Sequence, residues 1–393
     1  MSYRPPAHIL PVIVISQFLC TSLWFAGNAV MPDLMSLLDL GPSALGYLTS
    51  AVQLGFIAGT LLFAFLSIAD RYDPSKVFFL CAILGAMSNV LIIWKINTYS
   101  SVIFFRFLTG FFLAGIYPVG MKIAADYFDK GLGKSLGFLV GALVVGTAFP
   151  HGLKELKGSL PWEYVIMATS ILASIGGLLM MILVPNGPYR KPSQQINLSA
   201  IPQIFKGKMF RSAAFGYFGH MWELYTFWAF VPFFLQLYTD LHHGVEFNIP
   251  LLSFIIIAIG GIACVIGGYI AQQVSTKRVA GSALLLSGIC CLLAPAIFLL
   301  NSALLFIIFL LFWGMVVIAD SPLFSTLVAQ NAPPALKGTA LTIVNCIGFL
   351  LTIFSIQLMT WLSSSTSSPY IFTILAIGPI LGLLALRKNH AIS

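Results

Sequence analysis

The sequence predicts an all-α membrane protein in which twelve transmembrane helices form two pseudo-symmetric bundles of six. Apolar residues make up 59% of the 393 residues, charged residues make up 8%, and the mean hydropathy is +0.97. A soluble domain carries about 25% charged residues, and it needs a polar exterior to stay dispersed in water. The outer surface of this chain must therefore face lipid.

Twelve apolar stretches are each long enough for a helix to cross the bilayer, which takes about 20 residues. The first stretch is too long for the apolar core of a cleaved signal peptide, so we expect an uncleaved first helix. The first six predicted spans cover residues 9–31, 44–69, 77–96, 101–125, 134–153 and 163–185. The second six cover residues 211–237, 249–273, 279–300, 303–328, 339–362 and 369–387.

The longest polar stretch lies between the sixth and seventh spans and divides the chain into halves. It is rich in proline, glycine and basic residues, which is the composition of a linker. We predict an N-terminal bundle over residues 1–186, a cytoplasmic linker over 187–208 and a C-terminal bundle over 209–393. The two halves show weak internal similarity, because Tyr117-Pro118 in the fourth span corresponds to Ser321-Pro322 in the tenth.

The positions of the basic residues predict that both termini are cytoplasmic. Cytoplasmic loops carry an excess of Lys and Arg. With this orientation, only Lys95, Lys154 and Lys157 of the 20 basic residues lie in outside loops, and Arg106 lies inside a span. The net charge of +8 therefore reflects membrane orientation, and no nucleic-acid partner is predicted. The short tails and sparse loops favour a multi-pass protein of a prokaryotic inner membrane.

Several function classes find no support in the sequence. The six cysteines lie inside apolar stretches without metal-ligand spacing or a disulfide framework. The chain has no Walker-type phosphate loop, which argues against ATP-driven transport, and no Gly-x-Ser-x-Gly nucleophile motif. We therefore predict no metal, no cofactor and no enzymatic activity.

Two sequence motifs resemble those of the major facilitator superfamily. The loop from Ala69 to Lys76 carries Asp70-Arg71 and resembles the family's loop signature, although Asp73 replaces its later glycine. In the fourth span, Arg106 to Gly110 resembles the family's Arg-x-x-x-Gly motif. The resemblance implies alternating access, in which two bundles rock around a site near the bilayer midplane. It also implies that spans 1, 4, 7 and 10 line the cavity.

Two further segments bear on the branch of the superfamily. The fifth span has the glycine spacing of the antiporter motif, but Pro150-His151 replaces its Gly-Pro, which counts against a drug–proton antiporter. The segments Met221 to Tyr225 and Ala319 to Pro322 resemble the cyanate and nitrate/nitrite permease-like branch.

Three ionisable residues inside predicted spans are candidates for proton coupling, because charged groups in the membrane are costly and usually functional. Glu223 and His220 are three residues apart on the seventh span and so share a helix face. Asp320 precedes Ser321-Pro322, where the helix is expected to loosen. The alternative is structural: a hydrogen-bonded pair on the seventh span and a cap on the proline break.

Polar residues on the cavity-lining spans are candidates for solute binding. Arg106 could engage an anion with two hydrogen bonds, or it could bond to neighbouring helix carbonyls. The first span carries a polar stripe that faces either the cavity or another helix. The stripe consists of Gln17, Thr21, Trp24 and Asn28, and Gln53, Tyr117, Asn345 and Thr352 are candidates on similar grounds.

Charged residues near the cytoplasmic ends of spans are expected to act in conformational change or anchoring. Asp70 and Arg71 are assigned to a latch whose contacts differ between states, with a plain turn charge pair as the alternative. Lys122 and Asp126, four residues apart, are expected to form a helix-end ion pair.

These features together predict a secondary active transporter that moves a small anion or organic acid, coupled to protons as a symporter. One alternative is a proton-driven exporter of amphipathic compounds. Another, of a different class, is a non-transporting membrane sensor or enzyme. The predicted partners are a small-molecule substrate, protons and the lipid bilayer, and we expect that a monomer suffices.

Overall fold

The computed structural model describes residues 5–128, 132–156, 161–190 and 197–387, and every regular element in that part of the chain is a helix. The long helices form twelve consecutive segments, TM1 to TM12, and three segments are interrupted; the short helices Ile68–Arg71 and Ile201–Ile204 lie between segments. TM1 comprises Ile9–Thr21, Ala26–Ala29 and Met31–Leu37; TM4 comprises Tyr99–Leu113 and Tyr117–Tyr127; TM10 comprises Ala303–Ala319 and Ser321–Asn331. The others are TM2 (Ala44–Phe65), TM3 (Pro74–Ile93), TM5 (Leu132–Glu155), TM6 (Trp162–Leu183), TM7 (Lys208–Leu241), TM8 (Ile249–Gln273), TM9 (Thr276–Leu299), TM11 (Lys337–Ser365) and TM12 (Pro369–Arg387).

Within the described residues, ten helical segments are long and apolar enough to cross a membrane. The other two crossings are TM1, whose longest helix has 13 residues, and TM7, which has 34 residues but carries several polar groups. The predicted fold class, twelve helices in two bundles of six, is confirmed. The exact bounds of the two bundles and of the linker stay a prediction.

Three segments are broken near the middle, and two of the breaks have a clear cause in the sequence. Pro118 and Pro322 follow the breaks in TM4 and TM10, and proline cannot donate the helical hydrogen bond or accommodate the preceding carbonyl. TM1 is broken at residues 22–25 without a proline. The continuous helix predicted over 9–31 is therefore wrong in detail, and Arg106 of TM4 binds the Leu23 and Trp24 carbonyls that the break leaves free.

Glycines let the helices within each bundle approach closely. A Cβ atom on Gly110 of TM4 would lie 2.0 Å from the backbone oxygen of Val52 in TM2, so only glycine fits there. The C-terminal bundle has a similar contact, where a Cβ atom on Gly219 of TM7 would lie 2.3 Å from the Gly378 oxygen in TM12. Such small residues are the usual means of packing membrane helices, since lipid provides no hydrophobic driving force.

The two bundles contact each other along TM2–TM11 and TM5–TM8. Gln357 of TM11 donates a hydrogen bond of 2.9 Å to Ser50 of TM2. Both residues lie in the half of the helix that is remote from the linker. Phe149 of TM5 and Phe254 of TM8 are 6.4 Å apart between ring centroids on the same side. The described bundles are therefore closed together on the side opposite the linker.

Candidate transport site

A buried histidine–aspartate pair joins TM7 to the break in TM10. His220 Nδ1 lies 2.7 Å from Asp320 Oδ1, and each side chain is 1% exposed. His220 Nε2 and both carboxylate oxygens of Asp320 have no hydrogen-bond partner among the described residues. The TM10 break brings the carboxylate into reach of TM7. The pair thus has capacity left to bind a proton, water or solute group.

Glu223 lies one turn along TM7 from His220, and it has different partners. Its carboxylate accepts hydrogen bonds from Trp313 Nε1 of TM10 at 2.6 Å and from Ser287 Oγ of TM9 at 2.9 Å. Cys291 Sγ of TM9 is a third donor at 3.3 Å. Glu223 therefore faces the interior of the C-terminal bundle with its oxygens satisfied. No direct contact joins Glu223 to His220 among the described hydrogen bonds and ion pairs, although the spacing predicts a shared face.

A row of polar groups leads from the His220–Asp320 pair to TM11. Tyr217, one turn before His220, donates a hydrogen bond of 2.9 Å to Asn345 Oδ1, and its ring centroid lies 6.0 Å from that of His220. The predicted residue Asn345 thus belongs to this polar row, whereas Tyr117 begins the second part of TM4 and has no hydrogen bond to the row among the described contacts.

Arg106 is fully buried and ties TM4 to the break in TM1. Its Nη1 donates to the Leu23 oxygen at 3.2 Å and to Asn89 Oδ1 of TM3 at 3.3 Å, and its Nη2 donates to the Trp24 oxygen. These bonds satisfy the carbonyls that the broken helix leaves free. A Cβ atom on Gly27 would lie 3.0 Å from Arg106 Nε, so this glycine provides room for the guanidinium.

The predicted polar stripe of TM1 does not act as a unit. Thr21 donates to the Gln17 backbone oxygen at 2.8 Å within its own helix, and Asn28 donates to Thr49 of TM2 at 2.8 Å. The side-chain amides of Gln17 and Gln53 are buried and have no hydrogen-bond partner among the described residues. Because buried amides are nearly always paired, these two are available to water or a solute.

An aromatic cluster connects the bundles near their centre. Trp24 of TM1 lies 4.9 Å from Phe56 of TM2 and 5.7 Å from both Tyr225 of TM7 and Phe349 of TM11, between ring centroids. Phe56 and Phe349 are 4.5 Å apart. Of these residues, only Trp24 is a site candidate in the sequence analysis. In a chain with 33 phenylalanines, no spacing distinguishes the aromatic residues that meet between bundles from those that face lipid.

The predicted latch residues lie at the linker side of the N-terminal bundle. Asp70 forms an ion pair with Lys122 at the end of TM4, whereas Arg71 is exposed. Arg190, at the start of the linker, donates to the Asp70 backbone oxygen at 3.1 Å and to the Tyr72 oxygen at 2.7 Å. Lys122 thus pairs with Asp70 in the loop between TM2 and TM3, and the predicted Lys122–Asp126 ion pair is not among the described ion pairs.

Twelve helices in two bundles, with buried polar groups where the bundles meet, define a membrane transporter. A sequence model of the Major Facilitator Superfamily matches residues 13–356. The chain belongs to the Major Facilitator Superfamily, whose members are transporters and not enzymes. This result confirms the superfamily resemblance, and it does not support the narrower cyanate and nitrate branch.

The chain is also similar to individual proteins over most of its length. It is 24% identical over 295 residues to the uncharacterized protein Cj0987c of Campylobacter jejuni, covering 71% of this chain and 86% of that protein. Its fold is similar to that of the proton:xylose symporter XylE, with a TM-score of 0.75, 15% identity, and coverage of 97% of this chain and 95% of that one. The human organic anion transporter MFSD10 has a TM-score of 0.73 and 16% identity, with coverage of 98% and 100%.

Proposed function

We propose that this protein is a secondary transporter that couples movement of a small organic solute to protons through the His220–Asp320 pair. The observation that carries the proposal is the 2.7 Å contact between two buried titratable groups at the break of TM10. Burying a charged group costs free energy unless the group has a partner of opposite charge or is neutralised by a proton. Binding or loss of one proton therefore changes the contact between TM7 and TM10, which is what coupling requires.

The proton step needs no other reactant. In a proton-free pair, Asp320 is a carboxylate in contact with neutral His220. A proton entering from water produces an imidazolium–carboxylate pair or a neutral carboxylic acid beside neutral imidazole. Either product has a different charge from the starting pair, so the protonated and free states favour different arrangements of TM7 and TM10. Release of that proton on the other side of the membrane completes the cycle.

The surroundings favour an organic solute with an apolar face and an acidic or hydrogen-bonding group. The aromatic cluster of Trp24, Phe56, Tyr225 and Phe349 offers flat apolar surface where the bundles meet. Gln17 and Gln53 supply unpaired amides, and Tyr117 and Asn345 supply further polar groups. Arg106 contributes positive charge from its place beside Trp24. XylE is described as a proton symporter and MFSD10 as an organic anion transporter, and both share this fold.

Export of amphipathic compounds is the second candidate, and the same aromatic cluster supports it.

For either candidate, we propose that both termini face the cytoplasm of a prokaryotic inner membrane, from the distribution of basic residues. We also propose that Asp70 and Arg71 act as a latch between states, because the Asp70–Lys122 pair and the linker residue Arg190 meet there.

The experiment is solute uptake into proteoliposomes, measured once with a proton gradient and once as solute counterflow without a gradient. The panel holds aromatic carboxylates, short aliphatic carboxylates, cyanate, nitrate and lipophilic cations. Asp320→Asn should reduce gradient-driven accumulation by at least about tenfold, equivalent to roughly 1.4 kcal/mol, and should retain counterflow. The matched control is Glu246→Gln, which removes an exposed loop carboxylate.

Three outcomes separate the candidates. Accumulation of carboxylates that depends on the gradient and on Asp320 supports proton-coupled uptake of organic acids. Expulsion of lipophilic cations under the same conditions supports the exporter. Gradient-driven accumulation that persists in Asp320→Asn would contradict the role of the pair.

A further inference from the structure

A groove opens on the lipid-facing surface between the linker ends of TM7 and TM12. It has a volume of about 620 Å³, and seven residues line it: Lys208, Arg211, Ser212, Phe215, Leu381, Leu384 and Ala385. None of the transport-site residues takes part in it. Farther along the same pair of helices, Gly219 and Gly378 hold the two backbones together.

The floor of the groove is narrow and its polar atoms are paired. Ser212 Oγ of TM7 donates a hydrogen bond of 2.9 Å to the Ala385 oxygen of TM12. This bond and the small side chains of both residues keep the helices close at the base. The groove therefore has a fixed shape set by helix packing, and its floor presents no free charge to an occupant.

The walls are apolar and exposed. Phe215 is 49% exposed, Leu381 is 60% exposed and Leu384 is 49% exposed. Since these helices cross a membrane, the exposed surface is in contact with lipid chains. A soluble anion would gain nothing from these walls, whereas an acyl chain would bury them.

The mouth of the groove is basic. Lys208 and Arg211 are both exposed at the start of TM7, and the helical rise places Lys208 roughly 10 Å from Phe215 along the axis. A basic residue beside the membrane surface attracts anionic lipid by about 1 kcal/mol, and an arginine can bind a phosphate through two hydrogen bonds. The apolar walls thus match the acyl chain of a phospholipid, and the basic mouth matches its anionic headgroup.

We propose that this groove binds one anionic phospholipid, with its headgroup phosphate at Lys208 and Arg211 and an acyl chain along Phe215, Leu381 and Leu384. The lipid would link the start of TM7, directly after the linker, to the end of TM12. The proposal is independent of the transported solute and of proton coupling, because no residue of the transport site contributes to the groove.

The test is native mass spectrometry of the purified full chain titrated with phosphatidylglycerol, phosphatidylcholine or inorganic phosphate. Wild type should retain phosphatidylglycerol in preference to phosphatidylcholine. Arg211→Gln should weaken binding about fivefold and the double variant Lys208→Gln, Arg211→Gln roughly 30-fold, which corresponds to about 1 kcal/mol for each charge. Leu381→Gln with Leu384→Gln should also weaken phosphatidylglycerol binding, because the chain loses its apolar walls.

The matched control is Lys277→Gln with Arg278→Gln, which removes two basic residues from the first turn of TM9 on the same side of the membrane. It should leave phosphatidylglycerol binding within about twofold of wild type, as expected for surface changes away from the site. Equal loss in the control would mean a general charge effect and would overturn the proposal. Displacement of lipid by inorganic phosphate, or equal retention of phosphatidylcholine, would also overturn it.

Discussion

At the residue scale, the number of hydrogen-bond partners distinguishes residues that hold the fold from those that are free to bind. Glu223 accepts three hydrogen bonds from TM9 and TM10, so its carboxylate is fixed inside the C-terminal bundle. Asp320 and His220 contact each other, and His220 Nε2 and both carboxylate oxygens of Asp320 have no hydrogen-bond partner among the described residues. This difference is why we assign the proton to the His220–Asp320 pair.

Arg106 provides a test of residue role, because a structural and a solute-binding arginine respond differently to lysine. Lysine keeps the charge but lacks the planar fork that reaches the Leu23 and Trp24 oxygens and Asn89 together. Arg106→Lys should therefore lower the free energy of unfolding by about 1–3 kcal/mol, as an unsatisfied buried group does. The measurement is thermal unfolding in detergent, together with KM and kcat for uptake.

The control for this substitution is Arg278→Lys, at an exposed position in the first turn of TM9. We expect the control variant to keep the thermal stability of the wild type. We expect Arg106→Lys to keep an unchanged KM for anionic solutes. A raised KM for anions with unchanged stability would assign Arg106 to solute binding instead.

At the element scale, helix breaks place the site residues and glycine contacts fix the helices around them. TM4 and TM10 break before Pro118 and Pro322, so the two halves of the molecule carry the same local feature. Asp320 lies directly at the TM10 break, and Tyr117 begins the second part of TM4. In the N-terminal bundle, TM2 packs closely against TM4 through Gly55 and Gly110.

Gly110→Ala should separate TM2 from TM4, because the added Cβ atom would meet the rigid Val52 backbone at 2.0 Å. We expect a loss of about 1–3 kcal/mol in stability, which is typical of overpacking. The measurement is thermal unfolding of the purified protein. Gly268→Ala is the matched control, since nothing lies within 4 Å of its added Cβ atom. Equal stability of the two variants would show that the close helix contact is not required.

At the scale of the whole molecule, the two bundles meet on the side opposite the linker, and alternating access requires this contact to open. Ser50→Cys with Gln357→Cys places two thiols across the TM2–TM11 contact, and the six native cysteines are buried. A short bifunctional thiol reagent should then stop uptake. When the reagent used is one that a reductant cleaves, adding the reductant should restore uptake. Ser50→Cys alone is the control. Full uptake after cross-linking would rule out opening at this contact.

The sequence predicts the spans and the fold well, because lipid demands long apolar runs. It does not predict partners between helices, since these depend on how each helix is rotated about its axis. His220 and Asp320 are separated by about a hundred residues, and Glu223 points elsewhere although it is close to His220 in sequence. The TM1 break has no proline, and Arg106, which binds its free carbonyls, lies in TM4. The sequence likewise does not distinguish the residues of the aromatic cluster from aromatic residues that face lipid.

The most direct test of the central claim is solute-triggered proton movement in proteoliposomes, followed with a pH-sensitive dye inside the vesicles. Wild type and Glu223→Gln should both move protons when solute is added, after correction for any loss of folded protein. Asp320→Asn should move solute by counterflow and no protons. Proton movement that persists in Asp320→Asn but is lost in Glu223→Gln would contradict the account and place the proton site at Glu223.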